Sequence, residues 1–154
     1  MEYIQAATDE PGEEGCIFCA IAQGQESDRV LARSEFGYVV LNKFPYNPGH
    51  LLVVPNRHEG DLEGLTTEEG AALQALLQRS IRALRAESEP HGFNVGMNLG
   101  RIAGAGIPGH LHWHIVPRWS GDTNYMPVVG ETRVLPELLA ETYRRLAPRF
   151  QGDA

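Results

Sequence analysis

His110-Leu111-His112-Trp113-His114-Ile115-Val116 gathers three of the chain's six histidines into five positions. Polar and apolar residues alternate through it, which is the period of a β-strand, whose successive side chains point to opposite faces. The stretch predicts a strand over His110–Val116 with three imidazoles on one face and Leu111, Trp113 and Ile115 on the other. Neighbouring imidazoles would then stand about 6–7 Å apart.

Working outward, Gly100–Gly109 is a glycine-rich loop leading into that strand, and Phe93, Val95 and Met97 before it alternate with Asn94, Gly96 and Asn98. This predicts a second strand with one apolar and one polar face. Further back, Thr66 and Glu69 form a capping box for a helix over Thr67–Glu87, with Leu73, Leu76, Leu77, Ile81 and Leu84 at helical spacing. Pro90 and Gly92 mark its end. Leu51–Val54 predicts a buried central strand, entered through the proline-containing loop Asn42–Gly49. Short strands are expected at Val30–Arg33 and Tyr38–Leu41 around a turn at Ser34–Gly37. Beyond Pro136 a second amphipathic helix carries Leu139, Tyr143 and Leu146, and residues 1–14, rich in acid, Gly and Pro, predict a loose arm. No repeat or linker divides the chain. The expected architecture is α+β in one domain spanning 1–154, with an antiparallel sheet made from successive strands.

Composition narrows the function. With 154 residues and 42% hydrophobic content the chain can bury a core. No stretch is apolar for long enough to cross a bilayer, so no membrane partner is expected. Its first residues lack the basic-then-apolar order of a secretory signal, so a cytoplasmic home is expected. A net charge of −7 argues against binding nucleic acid polymers, although a locally positive pocket still suits a small anion.

The histidine trio admits two chemistries. H-x-H pairs on a strand ligate metals, whereas a neutral imidazole held at one nitrogen offers its other lone pair to phosphorus. The neighbourhood suits phosphate. Gly100, Gly104, Gly106 and Gly109 let backbone N–H groups turn inward as an anion cradle, and Asn94 and Asn98 offer amide hydrogens. Gly104-Ala-Gly106-Ile-Pro-Gly109 matches a dinucleotide fingerprint, but it precedes a strand instead of opening a helix, so that reading is rejected. Arg101 and Arg118 flank the region as phosphate partners or solvated charges. His50 reads equally as a core or an active-site residue. Cys16 and Cys19, in C-x-x-C spacing, suggest two thiolate ligands of tetrahedral zinc, with His58 and one histidine of the trio completing it. Two inert buried cysteines are the alternative.

Taken together, these residues resemble the histidine triad superfamily, whose signature is H-x-H-x-H followed by apolar residues. Leu41-Asn42-Lys43-Phe44-Pro45-Tyr46-Asn47-Pro48-Gly49-His50-Leu51 resembles the family segment that lines the nucleoside pocket. Gly92–Gly100 and Gly121-Asp122-Thr123-Asn124 resemble the branch of small bacterial diadenosine tetraphosphate phosphorylases and hydrolases. The resemblance implies that His112 attacks the α-phosphorus to form a nucleotidyl-histidine, which water or phosphate resolves. It further implies that His114 stabilises charge at the scissile bond, that His50 sits beside the nucleophile, and that Asn42 and Asn98 hold ribose and phosphate. Cys16, Cys19, His58 and His110 correspond to the structural zinc ligands of metal-bearing members, and a homodimer joined through paired helices and a continuous sheet is implied. One departure is the absence of Gln or Ser just before the triad, where Gly106, Ile107 and Pro108 stand. Backbone amides would have to serve there. Rival readings are a nucleoside phosphoramidase, a non-catalytic nucleotide-binding regulatory module and, least of all, a metal-dependent oxygenase or hydrolase.

Overall fold

Two runs in which every residue is buried, Gly37–Leu41 (β2) and Leu51–Pro55 (β3), pair antiparallel in the middle of a five-stranded sheet. The computed structural model describes residues 12–25, 27–122 and 137–151. The outer strands are Val30–Arg33 (β1), Gly92–Gly96 (β4) and Trp113–Arg118 (β5), and the order is β1-β2-β3-β5-β4 with every neighbouring pair antiparallel. Both faces of β2 and β3 are covered, which explains why their sequences are almost unbroken in apolar residues.

One face is covered by helix α2, Thr67–Ser88. Its capping box forms as read: Glu69 N–H donates to Thr66 Oγ1 at 3.1 Å and Thr66 N–H to the Glu69 carboxylate at 2.8 Å. Such a cap satisfies two donors that the first turn leaves open. The helix ends where Glu89 adopts a left-handed conformation, φ 46°, just before Pro90. Leu73, Leu76, Leu77 and Leu84 pack on Val39, Leu41, Leu51, Val53 and Ile115. Helix α3, Leu139–Leu146, and the 3-10 turn Ala147–Phe150 add Leu146 and Phe150 to that core.

The opposite face carries a helix the sequence did not reveal, α1, Ile17–Ala22, which contains Cys19 and follows directly on Cys16. Six residues are too few to show helical periodicity. Phe18, Cys19 and Ile21 pack on Tyr38, Val40, Leu52 and Val54. The fully buried Tyr38 donates its hydroxyl to the Phe18 carbonyl at 2.8 Å, and Arg33 donates to the Ile21 and Ala22 carbonyls. These bonds fix α1 to the sheet and satisfy the carbonyls at its end.

Three expectations are corrected. The sheet does not follow chain order, because β5 lies between β3 and β4. β4 is therefore an edge strand that ends at Gly96, short of the expected Met97 and Asn98, with Phe93 packed against the core and Val95 exposed. The histidine-bearing strand begins at Trp113, not His110. Leu111 N–H donates to the Glu59 carbonyl at 2.7 Å and His110 N–H to that of Ile107, which draws residues 110–112 out of the β3 ladder. The loose arm expected at 1–14 falls mostly outside the described residues; Glu13–Gly15 form a 3-10 turn. Thr123 and Asn124 also lie outside them. Among the described residues no helix is long and apolar enough to cross a membrane.

Candidate active site

Because the first two histidines leave the ladder, the trio divides between two sites. His110 is fully buried and turns toward α1, whereas the His112 and His114 rings stand beside His50, which lines a cleft with Tyr46 and Asn47.

At the first site, Cys16 Sγ lies 3.3 Å from His110 Nδ1, and Cys19 Sγ lies 3.3 Å from His58 Nδ1 and 3.5 Å from His110 Nδ1. All four ligand atoms fall within 4.8 Å of one another. His110 Nε2 sits 2.9 Å from the Pro55 carbonyl, so it carries the proton and directs the Nδ1 lone pair at the cluster. His58 is brought in by backbone packing. Gly60 lies so close to Pro108 and Gly109 that an added Cβ would stand 3.0 Å from the Pro108 carbonyl oxygen, and Arg57 is held by Glu69 of α2. A tetrahedral zinc with Zn–S of about 2.3 Å and Zn–N of about 2.0–2.1 Å needs S···N edges of about 3.5 Å. The donor set therefore fits zinc in both type and spacing. Burial and the neighbouring Cys16 push the Cys19 thiol up to about 12.

At the second site each proton can be placed. His112 Nδ1 lies 2.9 Å from the His110 carbonyl, which can only accept, so Nδ1 carries the hydrogen and Nε2 keeps its lone pair. His50 Nδ1 accepts from the Tyr46 N–H at 3.1 Å. A neutral His50 then holds its proton on Nε2 and donates it to His114 Nδ1, 2.9 Å away. A neutral His114 in turn bears its hydrogen on Nε2. The cleft thus holds one nitrogen base and one N–H donor on rings whose centroids are 5.1 Å apart. Phe18 packs on His112 at 5.0 Å between centroids, and Tyr46 covers His50 and His114.

Burial, aided by the other imidazoles, pulls His50 down to about 3; burial also pulls His114 to about 4 and lowers His112. The rings stay neutral at physiological pH, whereas in the unfolded chain they protonate near 6.5. Acid therefore favours unfolding: the stability contributed by His50 and His114 is complete above about 6.5 and declines as pH falls toward 3–4. Between pH 7 and pH 4.5 we expect His50 to account for about 2 kcal/mol of lost stability. Urea unfolding at both pH values should show His50→Gln less pH-sensitive than the parent by that amount. Equal sensitivity would refute the assignment.

The remaining sequence candidates are partly redirected. Asn42 stands against the His50 ring, its amide nitrogen 3.4 Å from both ring nitrogens, while its oxygen accepts from Phe44 N–H. Asn98 lies beside Gly104, whose added Cβ would meet its amide nitrogen at 3.4 Å. Gly104 does not turn its N–H toward an anion: at φ 92° it donates to the Arg101 carbonyl, and Ala105 N–H donates to that of Gly100. Gly106 is exposed beside this turn. Arg118 is not turned to phosphate but pairs with Asp122 and Asn94. Tyr46 belongs to the segment that resembles the nucleoside-pocket lining, whereas Phe18 and the backbone carbonyls of Pro55 and His110 are parts of the site that the sequence does not point to. A backbone carbonyl has no signature in sequence.

Fold and site together define a five-stranded antiparallel sheet that carries paired cleft histidines on a Cys2His2 cluster. The chain belongs to the histidine triad family: the HIT domain model matches residues 23–121. It is 52% identical over 125 residues to the AP-4-A phosphorylase of Mycobacterium tuberculosis, an alignment covering 81% of this chain and 64% of that protein's length. Among solved structures it resembles a Zn-bound histidine triad family protein from Mycobacterium smegmatis, with TM-score 0.75, 31% identity, and coverage of 90% of this chain and 95% of that one. The diadenosine triphosphate hydrolase of Plasmodium falciparum shares the fold at TM-score 0.66 and 20% identity, covering 80% and 76% of the two chains.

Proposed function

We propose that the protein cleaves dinucleoside polyphosphates, with diadenosine tetraphosphate as the substrate class, by transient nucleotidylation of His112. The observation that carries this reading is the His112 Nδ1 to His110 carbonyl bond, which leaves the lone pair on Nε2. That nitrogen attacks the α-phosphorus and the phosphoanhydride P–O bond breaks. The departing nucleotide oxygen accepts a hydrogen bond, or the proton itself, from His114 Nε2. Water or inorganic phosphate then displaces His112 from phosphorus and takes the nucleotide. Dividing one difficult displacement into two is the gain from such an intermediate. Asn98 and the Gly106 N–H would hold phosphate oxygens, Gly104 would leave room for them, and Asn42 would meet the ribose.

Cys16, Cys19, His58 and His110 would hold zinc in a structural role, because four protein ligands fill its tetrahedron. We assign the chain as one domain acting in the cytoplasm on a nucleotide, not on a nucleic acid polymer. We assign it as a homodimer whose sheet continues across β4, a reading supported by that strand's exposed Val95. The 52% identity to a phosphorylase favours phosphate as the acceptor. Incubation with diadenosine tetraphosphate tests this: ADP and ATP formed only when phosphate is present are expected. AMP and ATP without phosphate would mean a hydrolase, and binding without turnover would leave a regulatory module.

A further inference from the structure

The loop that presents His50 is held from the far end of β5 by a side chain that touches no reacting group. The Asp122 carboxylate receives Arg118 Nε and Nη2 at 2.6 and 2.7 Å, Trp119 N–H at 3.1 Å and Asn47 Nδ2 at 2.8 Å. Asn47 Nδ2 also donates to the Pro117 carbonyl at 3.0 Å, so both of its amide hydrogens are taken by β5 and the turn after it. The Asn47 carbonyl in turn accepts the His50 N–H at 3.1 Å. One residue earlier, Tyr46 N–H is the donor that dictates which nitrogen of His50 carries its proton.

We infer that Asp122 and Asn47 are positioning residues which, by clamping the loop before β3 onto the end of β5, hold the Tyr46 N–H on His50 Nδ1 and so impose the protonated nitrogen of His50 and His114. The loop runs from Asn42 to Gly49 between two fully buried strands, and the Asn47 bonds tie the turn just before His50 to β5. Releasing Asn47 frees the carbonyl that holds His50 and the neighbouring N–H together. His50 can then place its hydrogen on Nδ1 and turn an acceptor toward His114, which would lose the Nε2 hydrogen offered to the leaving group. A neutral imidazole has one hydrogen, and this clamp decides where it sits.

The catalytic consequence rests on the proposed nucleotidyl transfer, but the tautomers do not. Long-range proton–nitrogen NMR on the histidine-labelled full chain therefore separates the two. In the parent, His50 and His114 are expected as single Nε2–H tautomers and His112 as Nδ1–H. In Asn47→Ala and in Asp122→Ala, the His50 and His114 nitrogens should move to averaged shifts. kcat should fall about tenfold or more with KM changed less than about twofold. Arg118→Lys, which leaves the Asp122 to Asn47 bond in place, should lower thermal stability while keeping the parent tautomers. Unchanged tautomers in both alanine variants, or their equal loss in Arg118→Lys, would overturn the inference. Failure of the parent to turn over diadenosine tetraphosphate would overturn the functional reading while leaving the spectra to decide this one.

Discussion

Replacing His112 with alanine is expected to lower the rate of diadenosine tetraphosphate cleavage by at least about 10⁴-fold, in line with removal of other enzymic nucleophiles. The size of the effect follows from the division of labour in the cleft. His50 and His114 are committed to one another, with His50 Nδ1 on Tyr46 N–H and Nε2 on His114 Nδ1, and neither presents a second lone pair. Of these three rings only His112 has its Nδ1 hydrogen engaged by a carbonyl, and among the described residues its Nε2 has no hydrogen-bond partner. Its lowered pKa, caused by burial, keeps that lone pair available at neutral pH. The fold should survive. The lost ring is 7% exposed and packs on Phe18, so its removal should cost about 1–3 kcal/mol. The measurement pairs turnover with acid-quenched mass spectrometry, in which the parent carries a nucleotidyl adduct that the variant lacks. A variant with full activity would remove His112 from the chemistry, whatever the fate of the fold.

Much of this arrangement is legible in the sequence, for reasons that also mark where legibility stops. The strands β1 to β3 and helix α2 announce themselves because each buries a face or a whole run, and burial leaves a periodic trace. The capping box at Thr66 and Glu69 is local and forms as its spacing requires. The strand reading of His110–Val116 fails for its first three residues, because alternation describes side-chain types and not backbone partners. There the Leu111 N–H goes to Glu59, a residue 52 positions away in a loop that no periodicity announces. That failure is productive for function. A regular strand would have put all three imidazoles on one face, whereas leaving the ladder sends His110 to the cysteines and keeps His112 and His114 in the cleft. The position of β5 between β3 and β4 was equally hidden, since strand order depends on pairings across the chain. His50, undecided from composition, is buried and bonded to Tyr46 N–H and His114 Nδ1, partners that only three dimensions supply.

The second large effect concerns the cluster of Cys16, Cys19, His58 and His110. Cys19→Ser should reduce copurified zinc to less than about a tenth of one equivalent and lower the thermal midpoint by roughly 10 °C. That corresponds to about 3 kcal/mol or more for a chain of this size. Cys19 is the member to replace because the residue is 3% exposed and its sulfur is close to both imidazoles, so its loss removes two S···N contacts at once. If zinc is held as proposed, its affinity becomes folding energy, because the cluster joins α1, the segment after β3 and the approach to β5 and without a cation would confine two buried thiols beside two imidazoles. His58 is only partly buried and meets one sulfur, so His58→Ala should show the smaller loss in both readouts. The consequence reaches the cleft through His110, which directs Nδ1 at the cluster while its own carbonyl fixes the hydrogen of His112, and through Phe18 of α1, which packs on both rings. Cys19→Ser should therefore lose activity together with zinc, whereas His112→Ala should lose activity and keep its zinc. Full metal content and an unchanged midpoint in Cys19→Ser would show that the four side chains are gathered for packing alone.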